Sequence, residues 1–337
     1  MHVKSPTRSR IRMLTAGVAI CTAAVVLTTT GMASASAASS TGMEQLSQLT
    51  VSTGDVSTLS VPEAPGTGAL PSESSDGTGD VAGLENTVAP HRVDLEKPRI
   101  DPATGTLKKP SEMSPRIIIG ADNRTQVRDV TVAPYSQMAL VLYERAGQSY
   151  MCSGSLVGNR TFVTAGHCLH QAGQWSTQVQ VLFGMNGTTY NAGCYPSTIT
   201  APNSWINSET REDDWGIIQL ACNAGNALGH LGVKDVGTGA VSGNATVTGY
   251  PGDKVSQLGG YFLFQHAGAL QSYNSKMFAY TTDTAGGQSG GGIWRNESGC
   301  GNCVLGVHTA GSAGAQLNFG TRMTGAFKSA VDQYKAQ

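Results

Sequence analysis

The chain is 337 residues long, has a formal net charge of −1, and only 13% of its residues are charged. That length suits one large or two modest domains with a sizeable core. A near-neutral chain offers no basic surface for a polyanion, so nucleic acid is not expected as a partner.

At the start, Lys4, Arg8, Arg10 and Arg12 precede an apolar stretch from Met13 to about Leu27, and a small-residue run, ASASAASS, follows. This is the order of a secretory signal, with cleavage after Ala37 or Ala38. Residues 1–37 are read as a signal peptide. An uncleaved membrane anchor is the alternative, but the apolar part is short and alanine-rich for a span. The mature protein is expected outside the cell, free of the membrane.

Residues 38–116 are rich in Ser, Thr, Gly, Pro and acidic residues, and no aromatic residue occurs between 39 and 115. Such a stretch has little with which to build a core, so it is expected to be a largely disordered propeptide. It ends at MSPRIIIGADNRTQV, where Pro115-Arg116 meets an abrupt apolar triplet, Ile117 to Ile119. A processing cut after Arg116 is expected there.

Beyond residue 116 the chain becomes a series of short β-like segments separated by Gly, Asn, Pro and Asp. They are QMALVLYE, RTFVTAG, TQVQVLFG, DWGIIQLA, NATVTGYPG, GYFLFQHAGAL, KMFAYTT, GGIW and CVLGVHTAG. Many short strands at this spacing predict an all-β sandwich or a pair of barrels. One helix-period segment closes the chain, with Met323, Phe327, Ala330, Val331 and Tyr334 on one face.

Removing Cys21 with the signal leaves Cys152, Cys168, Cys194, Cys222, Cys300 and Cys303. An even number in a secreted chain predicts disulfides, although spacing alone permits about 15 connectivities. Cys152 sits one strand before Cys168, so a bridge between them would pin the hairpin that ends at His167. Cys300 and Cys303 suit a small closed hairpin, since there is no second CxxC to complete a metal site.

Peptide hydrolysis by a serine needs a base, a carboxylate to orient it, and N–H groups aimed at the developing oxyanion. Three stretches offer these. In RTFVTAGHCLH a strand runs into a turn at His167. In REDDWGIIQL, Asp213 suits a solvated strand cap, whereas Asp214 lies directly against an apolar strand, where a histidine would offset its desolvation. In DTAGGQSGGG, glycines around Ser289 allow a sharp turn that presents the hydroxyl and gathers backbone N–H groups.

TAGHC, DDWGIIQL and GGQSGGGIW together resemble the catalytic segments of chymotrypsin-fold serine endopeptidases, over roughly residues 117 to 330. The resemblance implies an all-β fold of two six-stranded antiparallel barrels (about 117–235 and 236–322) with a C-terminal helix (about 322–335). It also implies His167 as general base and acid, Asp214 as its orienting carboxylate, Ser289 as nucleophile, and the N–H groups of Gly287 and Ser289 as oxyanion hole. The implied partners are protein or peptide substrates of a monomeric enzyme that needs no cofactor or metal.

Within that fold, IIIGADNRTQV, DTAGGQSGGG, GYPGDK and GVHTAG look most like the secreted bacterial glutamyl endopeptidases. That likeness implies His308, Thr284 and the amine of Ile117 as the pocket for an acidic side chain; an imidazole, a hydroxyl and an ammonium can together hold a carboxylate. Asp283 points the other way. It stands where trypsin-like members keep the carboxylate that selects Lys or Arg, so a trypsin-like or broad specificity stays open, as does a binding protein on the same fold. Gln288 stands where trypsin-like zymogens place an Asp that pairs with the freed N-terminal amine. A neutral glutamine cannot form that ion pair.

Overall fold

The computed structural model describes residues 43–51, 56–62 and 117–337. The expected signal peptide, most of the expected propeptide and Arg116 lie outside these residues.

The described chain enters with a hairpin, β1 (Met43–Thr50) and β2 (Val56–Pro62), and a short β3 (Thr125–Gln126) follows. Next come β4 (Met138–Arg145), β5 (Gln148–Leu156) and β6 (Thr161–Thr164), a helical turn α1 (Gly166–Leu169), and the small pair β7 (His170–Gln171) and β8 (Gln174–Trp175). The strands β9 (Thr177–Phe183), β10 (Ala192–Cys194) and β11 (Pro196–Pro202), helix α2 (Asn203–Ser208) and β12 (Gly216–Leu220) complete the first half. The second half holds α3 (Ala224–Leu228), β13 (Gly232–Val233), β14 (Ser242–Gly249), α4 (Gly252–Leu258), β15 (Phe264–Ser272) and β16 (Met277–Tyr280). It ends with β17 (Gly292–Glu297), β18 (Gly301–Ser312), β19 (Leu317–Arg322) and α5 (Gly325–Lys335).

These strands form two main sheets. The second runs β18-β17-β14-β15-β16-β19, and β19 pairs back onto β18, so six strands close into an antiparallel barrel. The first is nine-stranded in the order β10-β9-β4-β5-β6-β12-β11-β1-β2. Its strands β4, β5, β6, β9, β11 and β12 lie within the range expected for the other barrel, and β9 and β11 approach each other without pairing. The expected boundary near residue 235 is crossed twice: β3 pairs with β15 and β13 pairs in parallel with β18, so two short pieces on the N-terminal side of that boundary belong to the second sheet.

The hairpin of β1 and β2 departs from the expected disorder of residues 38–116. β1 pairs antiparallel with β11 from Leu46↔Pro202 to Thr50↔Thr198. A hairpin added at the edge of a sheet needs no aromatic core of its own, because it completes backbone hydrogen bonds and lends one side chain to a core already present. Leu46 does this and is fully buried.

β12, GIIQL, is buried at every position, as a strand covered on both faces should be. One apolar cluster joins Met138, Leu140 and Val163 of the first sheet to Val304 and Val307 of the second and to Phe327 and Val331 of α5. Trp215, just before β12, stacks on Phe327 with ring centroids 4.6 Å apart. The expected helix face, Met323, Phe327, Ala330, Val331 and Tyr334, is entirely buried. All six cysteines expected to pair are bridged, as Cys152–Cys168, Cys194–Cys222 and Cys300–Cys303. Replacing Phe327 with Ala is expected to cost about 3–5 kcal/mol, read as a lower denaturant midpoint, because the cavity opens beneath Trp215.

Candidate active site

β6 ends at Thr164, Ala165 stays extended at φ −80° and ψ 149°, and the chain then winds into α1. A side chain at Gly166 would meet Trp215 O at 3.0 Å and Trp205 Cδ1 at 3.1 Å, so the turn requires glycine's small size. It lays His167 against Asp214. The backbone N–H of His167 donates to Asp214 Oδ1 at 2.8 Å, and the ring Nδ1 lies 2.8 Å from Oδ2. A carboxylate only accepts, so Nδ1 carries the proton, and in the neutral ring Nε2 then holds the lone pair. Both side chains are buried, and these two bonds offset the desolvation of Asp214. The Cys152–Cys168 bridge ties the residue after His167 to β5, and Arg145 donates to the His167 carbonyl at 2.6 Å.

The glycine loop is held from beneath by Ser153 of β5. Its N–H donates to Ser289 O at 2.7 Å, and its hydroxyl donates to Gly287 O at 2.8 Å while accepting from Tyr250 N at 2.8 Å. Cys168 Sγ lies 3.9 Å from Ser289 O, so Ser289 stands beside the residue that follows His167. Gly287 and Gly290 have φ of +93° and +78°, a region that favours glycine. Gly286 O accepts from Gly252 N, and Gln288 O accepts from Gly291 N at 2.9 Å. In a trans peptide the next N–H points opposite to the carbonyl, so Gly287 N–H and Ser289 N–H each face away from those partners. Ser289 has no exposed surface, because the glycines let the loop sink against β5 and β6.

The residues expected around a pocket adjoin this loop. Gly290 N donates to His308 O at 2.7 Å and His308 N donates to Gly291 O at 2.9 Å. The ring of His308 is oriented through Nδ1, which lies 2.6 Å from the Tyr280 hydroxyl and 3.1 Å from Phe319 O. Burial pushes the Tyr280 phenol well above its ordinary pKa, so it stays protonated. Thr284 N donates to Ile117 O at 3.4 Å, and Asn318 Nδ2 bonds both Ile117 O, at 3.1 Å, and Thr282 O, at 2.8 Å. Thr284 Oγ1 and Asn318 Oδ1 are buried with no hydrogen-bond partner among the described residues. Asp283 is engaged elsewhere: Ile119 N donates to Oδ1 at 2.7 Å and Asn123 N donates to Oδ2 at 2.8 Å. His266 Nδ1 accepts from Asp283 N at 2.8 Å, so a histidine that had no expected role steadies this corner.

A family profile described as Trypsin matches residues 126–331, well over half of the chain. The chain belongs to the trypsin family. An extracellular metalloprotease of Bacillus subtilis (strain 168) is 33% identical to this chain over 217 residues, covering 63% of this chain and 67% of that one. A glutamyl endopeptidase of Bacillus licheniformis is 34% identical over 215 residues, covering 61% and 65%, and one of Staphylococcus aureus (strain N315) is 24% identical, covering 62% and 60%. The chain thus spans about two thirds or less of these relatives' lengths. A solved Glu endopeptidase in complex with MPD superimposes with a TM-score of 0.59 at 28% identity, covering 66% of this chain and all of that one.

One relative's name mentions a metal, so the donor set of this chain matters. Cys152, His167 and Cys168 lie close enough together to suggest ligands, but both sulfurs are joined in a disulfide and neither is a thiolate. That group does not fit a metal. Ser153, Tyr280 and Asn318 are marked by no local motif, because their partners lie far away along the chain, and Arg124 reaches Asp253 and Gln288 as well as nearby Asp122. Gly290→Ala tests the loop's seat, since a Cβ there would fall 2.1 Å from Thr164 Oγ1 and 2.4 Å from Ser153 O. The folded variant is expected to lose on the order of 100-fold in kcat/KM, because displacing the loop misaligns Ser289.

Proposed function

We propose that the protein is a secreted serine endopeptidase that cleaves peptide bonds after Glu, and less well after Asp, and is released from its precursor by a cut after Arg116. The observation that carries this reading is the orientation of Asp283. Its carboxylate accepts the N–H groups of Ile119 and Asn123, so it belongs to the wall that seats the mature N-terminal segment and does not select a basic side chain.

In its place stand groups suited to an anion. Thr284 offers a buried hydroxyl, Asn318 holds the Ile117 carbonyl beside it, and His308 meets a substrate through Nε2 because Nδ1 is engaged with Tyr280 and Phe319. A cut after Arg116 would free the Ile117 ammonium next to Thr284. The glutamyl endopeptidases among the relatives support the same preference. Secretion rests on the N-terminal signal pattern. Among the described residues, no helix is long and apolar enough to cross a membrane.

The chemistry follows from the His167–Asp214 pair. Ser289 Oγ attacks the scissile carbonyl carbon as its proton passes to His167 Nε2, and the oxyanion is received by the N–H groups of Gly287 and Ser289. The imidazolium, stabilised by Asp214, returns the proton to the leaving amine as the C–N bond breaks. Water then attacks the acyl-enzyme ester by the same route, releasing the acid and restoring Ser289.

Cleavage profiling on a mixed peptide library is expected to show cuts after Glu; dominant cuts after Lys or Arg would overturn the acidic pocket. His308→Ala is expected to lower kcat/KM on Glu substrates on the order of 10- to 100-fold, the worth of one charge-assisted hydrogen bond. A phosphonate that labels the active enzyme is expected to leave Ser289→Ala unlabelled, and continued labelling of that variant would remove Ser289 as nucleophile.

A further inference from the structure

Gln288 precedes the nucleophile, and its amide lies in the interior with no exposed surface. Two donors converge on its oxygen: Ala285 N at 2.9 Å and Arg124 Nη1 at 3.2 Å. Two N–H groups facing one amide atom identify that atom as the oxygen. The bond from Ala285 and the return bond from Gln288 N to Ala285 O, at 3.1 Å, close the turn that carries Gly286 and Gly287. The amide nitrogen has no hydrogen-bond partner among the described residues, so the side chain is held through its oxygen.

Arg124 has a fully buried side chain that uses every donor of its guanidinium. Nε and Nη2 reach the Asp122 oxygens, both at 2.9 Å; Nη1 and Nη2 reach those of Asp253 at 3.0 and 2.6 Å; and the remaining N–H goes to Gln288. Lys254 adds a second cation at 2.9 Å from Asp122, which balances the two carboxylates. Asp253 stands at the start of α4, whose first residue, Gly252, donates its N–H to Gly286 O. The arginine therefore grips both the side-chain oxygen of the loop and the element that fixes its Gly286 carbonyl. Through the trans peptide, that carbonyl sets the direction of Gly287 N–H.

We propose that Arg124 is a positioning residue for the oxyanion loop, a buried cation that takes over the role a freed N-terminal ammonium plays where an aspartate precedes the nucleophile. Because Arg124 and Gln288 meet with no free terminus involved, the loop keeps its shape independently of the cut after Arg116. The new terminus is then left to the pocket. The proposal rests on Ser289 as nucleophile and on the Gly287 N–H as part of the oxyanion hole.

The test compares the mature enzyme with Arg124→Met and Gln288→Leu, the second of which keeps the arginine's carboxylate bonds and removes only its bond to the loop. Both are expected to lower kcat about 100-fold, as loss of an oxyanion donor does, with KM little changed. Affinity for a peptide aldehyde, which binds as a tetrahedral adduct, is expected to fall by the same factor. Arg124→Ala is expected to regain part of its kcat when guanidinium ion is added at millimolar concentration. The proposal is overturned if folded Gln288→Leu keeps its kcat, or if kcat falls while aldehyde affinity is unchanged. An unsubstituted enzyme that a phosphonate fails to label at Ser289 overturns the nucleophile assignment and this proposal together; normal labelling with a Gln288→Leu variant of full kcat overturns only the latter.

Discussion

The site depends on one buried serine. Ser153 belongs to the first sheet, yet its N–H and hydroxyl hold the carbonyls of Ser289 and Gly287, which the second barrel supplies. Its own carbonyl accepts from Thr164, at the end of the strand leading to His167, and its neighbour Cys152 is bridged to Cys168. His167 and the loop of Ser289 are thus referred to the same few atoms. An unsatisfied carbonyl buried at any of these points would carry a desolvation penalty, and this makes the arrangement specific as well as stable.

The same economy governs the charges. Asp214, Asp283 and Arg124 are all buried, and each is matched by hydrogen bonds that leave little ambiguity about its direction. Asp214 takes the backbone and ring of His167; Asp283 takes two N–H groups from the segment after Ile117; Arg124 spends all its donors on two carboxylates and one amide. Asp283 is therefore committed to the segment after Ile117.

Much of the fold was legible because its signals are local. Each of the nine segments expected as strands contains one, since β-branched and aromatic residues bounded by Gly, Asn and Pro report on the nearest few residues. The strand Leu317–Arg322 was overlooked because LNFGTR carries an Asn and a Gly that local propensity reads as a turn, whereas pairing with β16 and β18 overrides it. The hairpin of β1 and β2 was overlooked for a related reason: strands added to a sheet borrow its core and need little apolar content of their own.

The sequence by itself determined the family, the closing helix face and the identity of the candidate triad, because each is written in a short motif whose chemistry depends on residue type. It raised the question of Asp283 and Gln288 without being able to answer it. The direction of a side chain is decided by whichever groups its fold brings close, and for these two the groups are Ile119, Asn123 and Arg124, about 160 residues away along the chain. Only the tertiary structure could decide that the aspartate faces the N-terminal segment and that the glutamine answers to a buried arginine. Both outcomes follow from buried polar groups having to find partners.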